Sequence, residues 1–286
     1  MTEFRSVRWL HAALLGLGAA LPFPASAQTK AAVEQERRAF AQWIATAPVS
    51  PFRAVVVRPI GTVGLSIGPP SADIPLAGVA AGKLAERNGR VILERGGETL
   101  ALPRGRPVTL GDWRLVASGR PGRAAVTVFG NASKDKKLPT HYPYDAKSAY
   151  IVSLTPPAAP RSQPLLSPDG VEVEATVAGT VTVPAGERTV TLTVMRLPGA
   201  TEDESELEIF FRDGTSGKGT YLAGRFVSLI PLPGNRYSLD FNRARNPFCA
   251  YNTVYPCPAL WRGNTLDRPI AAGEKYAGGG LDKPPT

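Results

Sequence analysis

Val171-Glu-Val-Glu-Ala-Thr-Val177 alternates without a break. In an extended chain Val171, Val173, Ala175 and Val177 face one way, and Glu172, Glu174 and Thr176 face the other. Val190, Leu192 and Val194 repeat the period, as do Leu207, Ile209 and Phe211. Period-two patterning with one polar side predicts antiparallel strands with one wet face. Asp213-Gly214 and Pro233-Gly234-Asn235 supply turns between such strands.

The same texture runs upstream. Asn88-Gly89 separates Leu84–Arg87 from Arg90–Arg95, and Gly96-Gly97 separates that run from Thr99–Leu102. Both dipeptides tolerate positive φ and suit tight hairpin turns, so residues 84–102 read as an antiparallel meander. Trp113–Val116 and Ala124–Phe129 are expected to continue it. Ala132–Tyr144 reads as a polar connection and Tyr150–Leu154 as a strand. Pro156–Pro168 holds five prolines and is excluded from any interior strand, leaving a surface loop or a linker.

One helix interrupts this pattern. Val33, Arg37, Phe40, Trp43, Ile44 and Ala47 recur at helical spacing between Lys30 and Ala47, and Pro48 and Pro51 stop the run. It is expected to cover a sheet edge or face. Nothing alternates strand with helix, which excludes a parallel α/β sheet. The fold class is therefore mostly β: antiparallel sheets, as a sandwich or partly open barrel, with one N-terminal α-helix after a signal peptide.

The signal peptide is read from residues 1–27. Arg5 and Arg8 precede an apolar run from Trp9 to Leu21, Pro22 and Pro24 end it, and Ala25-Ser26-Ala27 offers a cleavage site. The run is too short for a membrane span, which needs about 20 apolar residues. No later segment is long and apolar enough to cross a membrane. Cleavage would leave 259 of the 286 residues and lower the net charge from +9 to +8, because Arg5, Arg8 and Glu3 leave together. The expected organisation is a signal peptide over 1–27, a helix over 28–50, an N-terminal β region over 51–137 and a C-terminal β domain over 138–286. The expected location is periplasmic or secreted. The positive charge is spread along the chain except at Lys134, Lys136 and Lys137, which reads as a solvated loop or an attractor of an anionic envelope polymer. Nucleic acid is not an expected partner, since export and the absence of a binding motif argue against it.

Few residues offer chemistry. Cys249 and Cys257 are the only cysteines, and an even pair at short spacing in an exported chain predicts a disulfide. The rival is a pair of thiolate metal ligands, but His141 would be the one histidine left after cleavage, too few for a zinc site. No metal and no cofactor are expected. Gly217-Lys218-Gly219-Thr220 lacks phosphate-loop spacing and reads as a turn. The polar run Asp240-Phe-Asn-Arg243, followed by Asn246, stands out beside Arg225. A hairpin through Leu232–Asn235 would bring Arg225 and Asp240 together. These residues read either as a network pinning a loop or as a ligand site: Arg225, Asp240, Asn242, Arg243 and Asn246 around a small polar or anionic ligand, with an arginine as the fork.

The C-terminal half also resembles a known family. Phe211, Asp213, Thr215, Ser216, Gly217, Thr220, Tyr221, Gly224 and Arg225, then Asp240–Ala244 and Cys249-Ala250, match the pattern of the bacterial domain of unknown function 1684 family. The resemblance runs from His141 to Tyr276. Arg245 and Phe248 stand where the family has a Tyr and a Pro, and Cys257-Pro258 leads into Ala259 instead of a proline-rich segment. The resemblance implies a β-rich domain and no particular activity. Family members without export signals carry the same cysteine pair, which implies a role other than oxidation. The reading of function is a non-catalytic module binding a small polar or anionic ligand or a cell-envelope partner. The alternatives are a carboxylate-dependent hydrolase acting on an envelope substrate and a purely structural envelope protein.

Overall fold

The computed structural model describes residues 29–131, 136–198, 205–259, 261, 263–276 and 278. The expected signal peptide over 1–27 lies outside the described residues, as does Lys134. The chain is mostly β, with antiparallel sheets and no closed barrel.

The one α-helix among the described residues, α1 (Lys30–Thr46), comes first. Thr29 caps it, its hydroxyl accepting from the Ala32 amide at 3.2 Å, and Pro48 prevents its extension. Nine strands follow: β1 (Ala54–Pro59), β2 (Leu65–Gly68), β3 (Ile74–Pro75), β4 (Gly82–Arg87), β5 (Arg90–Arg95), β6 (Glu98–Leu102), β7 (Pro107–Leu110), β8 (Trp113–Arg120) and β9 (Arg123–Phe129). They form two sheets, β3-β2-β4-β5-β6 and β1-β9-β8-β7. The meander expected over 84–102 is present as β4-β5-β6, with Asn88 and Gly89 both at positive φ in its first turn. Trp113–Val116 and Ala124–Phe129 do not continue it. They belong to the second sheet, which packs against the first across Ile67, Leu84, Leu93, Leu115, Val126 and Val128.

Seven further strands make the largest sheet: β10 (Ala149–Ser153), β11 (Ser162–Leu166), β12 (Glu172–Ala185), β13 (Arg188–Leu197), β14 (Glu206–Phe211), β15 (Arg225–Leu232) and β16 (Arg236–Asp240). Their order is β10-β16-β15-β14-β13-β12-β11, and all pairs are antiparallel. The proline-rich stretch contributes β11, an edge strand, where a missing amide donor is tolerated.

The alternation in β12 changes face midway. A bulge between Val177 and Gly179 shifts the register by one residue. Ala175 and Val177 therefore pack on the outer face with Met195, Phe210, Phe226 and Trp261. Val181 and Val183 pack on the inner face with Leu192, Val194, Ile209, Phe211, Val227, Leu229 and Leu239. A shared cluster of Val49, Ala54, Val116, Phe129, Tyr221, Cys249 and Tyr255 joins the two halves of the chain. No helix among the described residues is long and apolar enough to cross a membrane.

Candidate functional site

The hairpin between β15 and β16 forms, yet it does not bring Arg225 and Asp240 together. Leu229 pairs with Leu239, which sets Asp240 level with Ser228, three residues short of Arg225. Arg225 instead crosses from β15 toward Asp213, donating to its carboxylate at 2.9 Å. Its two terminal nitrogens also donate to the carbonyls of Ile270 (3.0 Å), Ala272 and Glu274 (3.2 Å), while Nε has no partner, and the group lies over the Phe211 ring. It is 1% exposed. Arg225 thus pins the 270–274 segment and has no face open to a ligand. Asp213 completes the clamp by accepting from the Thr215 hydroxyl and the Ile270 amide.

Asp240 and Asn242 are equally enclosed. Asp240 accepts from the Asn242 amide and side chain, at 2.9 and 2.8 Å, and from Arg243 at 3.0 Å. Asn242 exchanges two hydrogen bonds with the Asp145 backbone. Arg243 turns outward and grips Glu36 of α1 with two donors, at 2.7 and 3.1 Å. Arg37, one residue on, donates to the carbonyls of Tyr142 and Asn242. The polar run therefore latches the helix to the sheet. Asn246 is buried; its amide donates to Glu274 at 2.6 Å, while its side-chain oxygen has no partner.

The latch leaves a space beneath α1. A cavity of about 70 Å³ is lined by Val33, Glu36, Arg37 and Phe40 of the helix, Ser228 and Ile230 of β15, His141, and Asn242 to Arg245. Arg37 engages both terminal nitrogens there, leaving its buried Nε without a partner, and Arg243 is held by Glu36 and Asp240. Arg245 differs: its guanidinium makes no hydrogen bond among the described residues, and its nearest counter-charge is Glu208, 3.9 Å away. Its side chain is 18% exposed. Glu208 sits on β14 directly opposite Ser228 and is fully buried. The Ser228 hydroxyl donates to one Glu208 oxygen at 2.6 Å, and the other oxygen has no partner. Desolvation raises the Glu208 pKa, with Arg245 and Ser228 opposing the shift.

A second buried carboxyl stands next to His141 of the cavity wall. Glu274 accepts from the Asn246 amide and the Tyr251 hydroxyl through one oxygen, while the other faces His141 at 4.0 Å. Burial pushes Glu274 up to about 7 and lowers His141 to about 4, the latter aided by Arg37. The charged residues lining the cavity are Arg37, Arg243 and Arg245 with Glu36. Arg37 and Arg243 are hydrogen-bonded to neighbouring segments, whereas Arg245 faces Glu208 without a hydrogen bond.

The expected disulfide is absent. Cys249 and Cys257 are free, with their sulfurs 2.6 Å apart, beyond the roughly 2.05 Å of an S–S bond. The pair shares hydrogen-bond contact with the Tyr221 hydroxyl, 3.4 Å from Cys249 and 3.3 Å from Cys257. Among the described residues no group of three or more His, Cys, Asp or Glu could hold a metal ion. Lys136 of the basic cluster donates to the Tyr251 carbonyl.

Of the five residues singled out for a ligand, the structure places Asn242 and Arg243 on the cavity wall and buries Arg225, Asp240 and Asn246 in clamps. Arg245, Ser228 and Glu208 were missed. The one available signal was Arg245 itself, a position where the chain departs from the family pattern.

Residues 137–275 match the model of a family described as a protein of unknown function (DUF1684). No curated protein matches the chain. Among solved structures, the chain is similar to the solution NMR structure of an uncharacterized protein from Haloarcula marismortui. The two are 27% identical over 49% of this chain and 76% of that chain, with a TM-score of 0.42.

Proposed function

From a C-terminal half that carries the DUF1684 pattern, we propose that this protein is a non-catalytic module that holds a small anion in the cleft between α1 and the outer face of the large sheet. The observation that carries this reading is Arg245, a largely buried guanidinium with no hydrogen bond, lining a cavity whose charged residues are three arginines and one glutamate. Buried polar groups are normally partnered, so an open fork of this kind invites an acceptor. The helix supports the reading by closing the cleft with Val33 and Phe40. The test is calorimetric titration with acetate, isobutyrate and inorganic phosphate, against an Arg245→Met control. Saturable binding of at least one anion that vanishes in the control is expected. Absence of binding by all three rejects the reading.

Residues 1–27 support a second part of the proposal, that the protein is exported and acts in the periplasm or outside the cell. The mature chain is then expected to begin at Gln28, and intact Met1 on most of the cellular protein, found by mass spectrometry, would reject export.

The hydrolase alternative rests on one contact, the 2.6 Å hydrogen bond from Ser228 to Glu208. It requires ester hydrolysis that disappears in Glu208→Gln.

A further inference from the structure

We propose that the anion is a monocarboxylate with a short apolar tail; this deepens the anion-binding reading and rests on it. Three features of the cleft lead there. The first is the charge it can neutralise. Arg37 spends its terminal nitrogens on the Tyr142 and Asn242 carbonyls, and Arg243 spends its own on Glu36 and Asp240. Arg245 lines the same cavity, makes no hydrogen bond and has its nearest counter-charge, Glu208, 3.9 Å away, so its fork can take one carboxylate. Inorganic phosphate at pH 6 is mostly the monoanion, but it is tetrahedral and carries polar oxygens on every side, so it has no apolar part to offer the rest of the wall.

The second feature is the wall itself. Val33, Phe40, Ile230 and Ala244 line the cavity beside the guanidinium. Water is poorly held on such a surface, whereas an alkyl group gains about 25 cal/mol for each Å² removed from water. A planar carboxylate satisfies the Arg245 fork on one edge and leaves its substituent to these side chains.

The third feature is size. One water needs roughly 10–15 Å³ of such space, so a cavity of about 70 Å³ accepts on the order of five heavy atoms. Propionate, butyrate and isobutyrate fall in that range. Long-chain fatty acids and sugar acids do not.

The experiment is calorimetric titration of the purified full chain at pH 6 with three probes: isobutyrate, the uncharged isobutyramide, and inorganic phosphate. Isobutyrate is expected to bind saturably at one site, and the amide and phosphate at least tenfold more weakly. Arg245→Lys keeps the charge but removes the planar fork, and is expected to weaken isobutyrate at least tenfold. Arg245→Met should abolish it, with the circular dichroism of both variants recorded to establish folding. Phosphate binding without isobutyrate binding overturns the monocarboxylate and leaves the anion reading standing. Equal binding of acid and amide overturns the role of charge. Isobutyrate binding unchanged in both Arg245 variants overturns the site. Failure of every anion overturns this inference and the proposed function together.

Discussion

Arg225 and Asp213 form an ion pair buried on both sides, at 2.9 Å, with Arg225 also holding three carbonyls of the 270–274 segment. Asp240 is held elsewhere, by Arg243 and Asn242. Two arginine–carboxylate clamps therefore lie side by side in the C-terminal half. One fastens a loop to the sheet, and the other fastens the N-terminal helix.

Breaking one partner of a buried pair leaves an uncompensated charge, at a cost of about 3–5 kcal/mol. Asp213→Ala is expected to destabilise by that amount. Arg225→Ala combined with Asp213→Ala should cost much less than the sum of the single changes. Arg225→Ala combined with Asp240→Ala should be additive, because those two share no contact. Urea unfolding of the three single and two double variants checks this. Strong coupling between positions 225 and 240 would contradict the observed register.

Glu274 and His141 have opposite proton linkages. Folding raises Glu274 from 4.5 to about 7, so its contribution is full below pH 4.5 and lost as pH rises through 7. Folding lowers His141 from 6.5 to about 4, so its contribution is full above pH 6.5 and lost as pH falls through 4. Between pH 4.5 and 6.5 the two cancel, and the native chain should show nearly flat stability. His141→Gln is expected to lose on the order of 3 kcal/mol as pH rises from 4.5 to 7. Glu274→Gln is expected to gain stability as pH rises from 4 to 6.5. Parallel profiles for all three proteins would rule this out.

The thiol pair is unequal. The hydrogen bond from Cys249 lowers Cys257 to about 6, against the opposing effect of its own burial, while the same bond and burial push Cys249 far up. Iodoacetamide at pH 7 is expected to label Cys257 at least tenfold faster than Cys249, because the thiolate is the nucleophile. Tyr221→Phe removes one donor and should move the pH midpoint of Cys257 labelling upward. Dithiothreitol should leave the Tm of the purified protein unchanged. Two sulfurs that resist alkylation until reduced would show a bond that the structure lacks.

Gly179 makes the bulge that turns β12 from one face to the other. Its φ is +148°, and a Cβ there would meet the Thr155 carbonyl oxygen at 2.2 Å. Gly179→Ala is expected to destabilise by about 1–3 kcal/mol, whereas Gly186→Ala, in an open turn with φ +72°, should cost less. Thermal unfolding of the pair compares them, and equal losses would show that the close approach is unimportant.

Much of the architecture was legible because it is written locally. Strand alternation, the Asn88-Gly89 turn and the helix from Lys30 each depend on a few consecutive side chains. The proline-rich stretch was correctly barred from the sheet interior, since a missing amide is a property of the residue itself. The face change in β12 was not legible, because Gly179 becomes a bulge only when Thr155 crosses beside it. The same limit explains the site. Arg225, Asp240, Asn242, Arg243 and Asn246 stood out because polar residues crowded together in sequence demand partners. Which partners they take is a matter of register.

Leu229 opposite Leu239 sends Asp240 to Arg243 and leaves Arg225 to Asp213, twelve residues away along the chain. Arg245 showed in sequence only as a departure from the family pattern, and the packing of α1 over β15 gives it a cavity to face. By itself the sequence determined a mostly β chain with one N-terminal helix and a polar C-terminal half. The tertiary structure alone decided which arginines are clamped and which one is open, because hydrogen-bond satisfaction is settled between segments far apart in the chain.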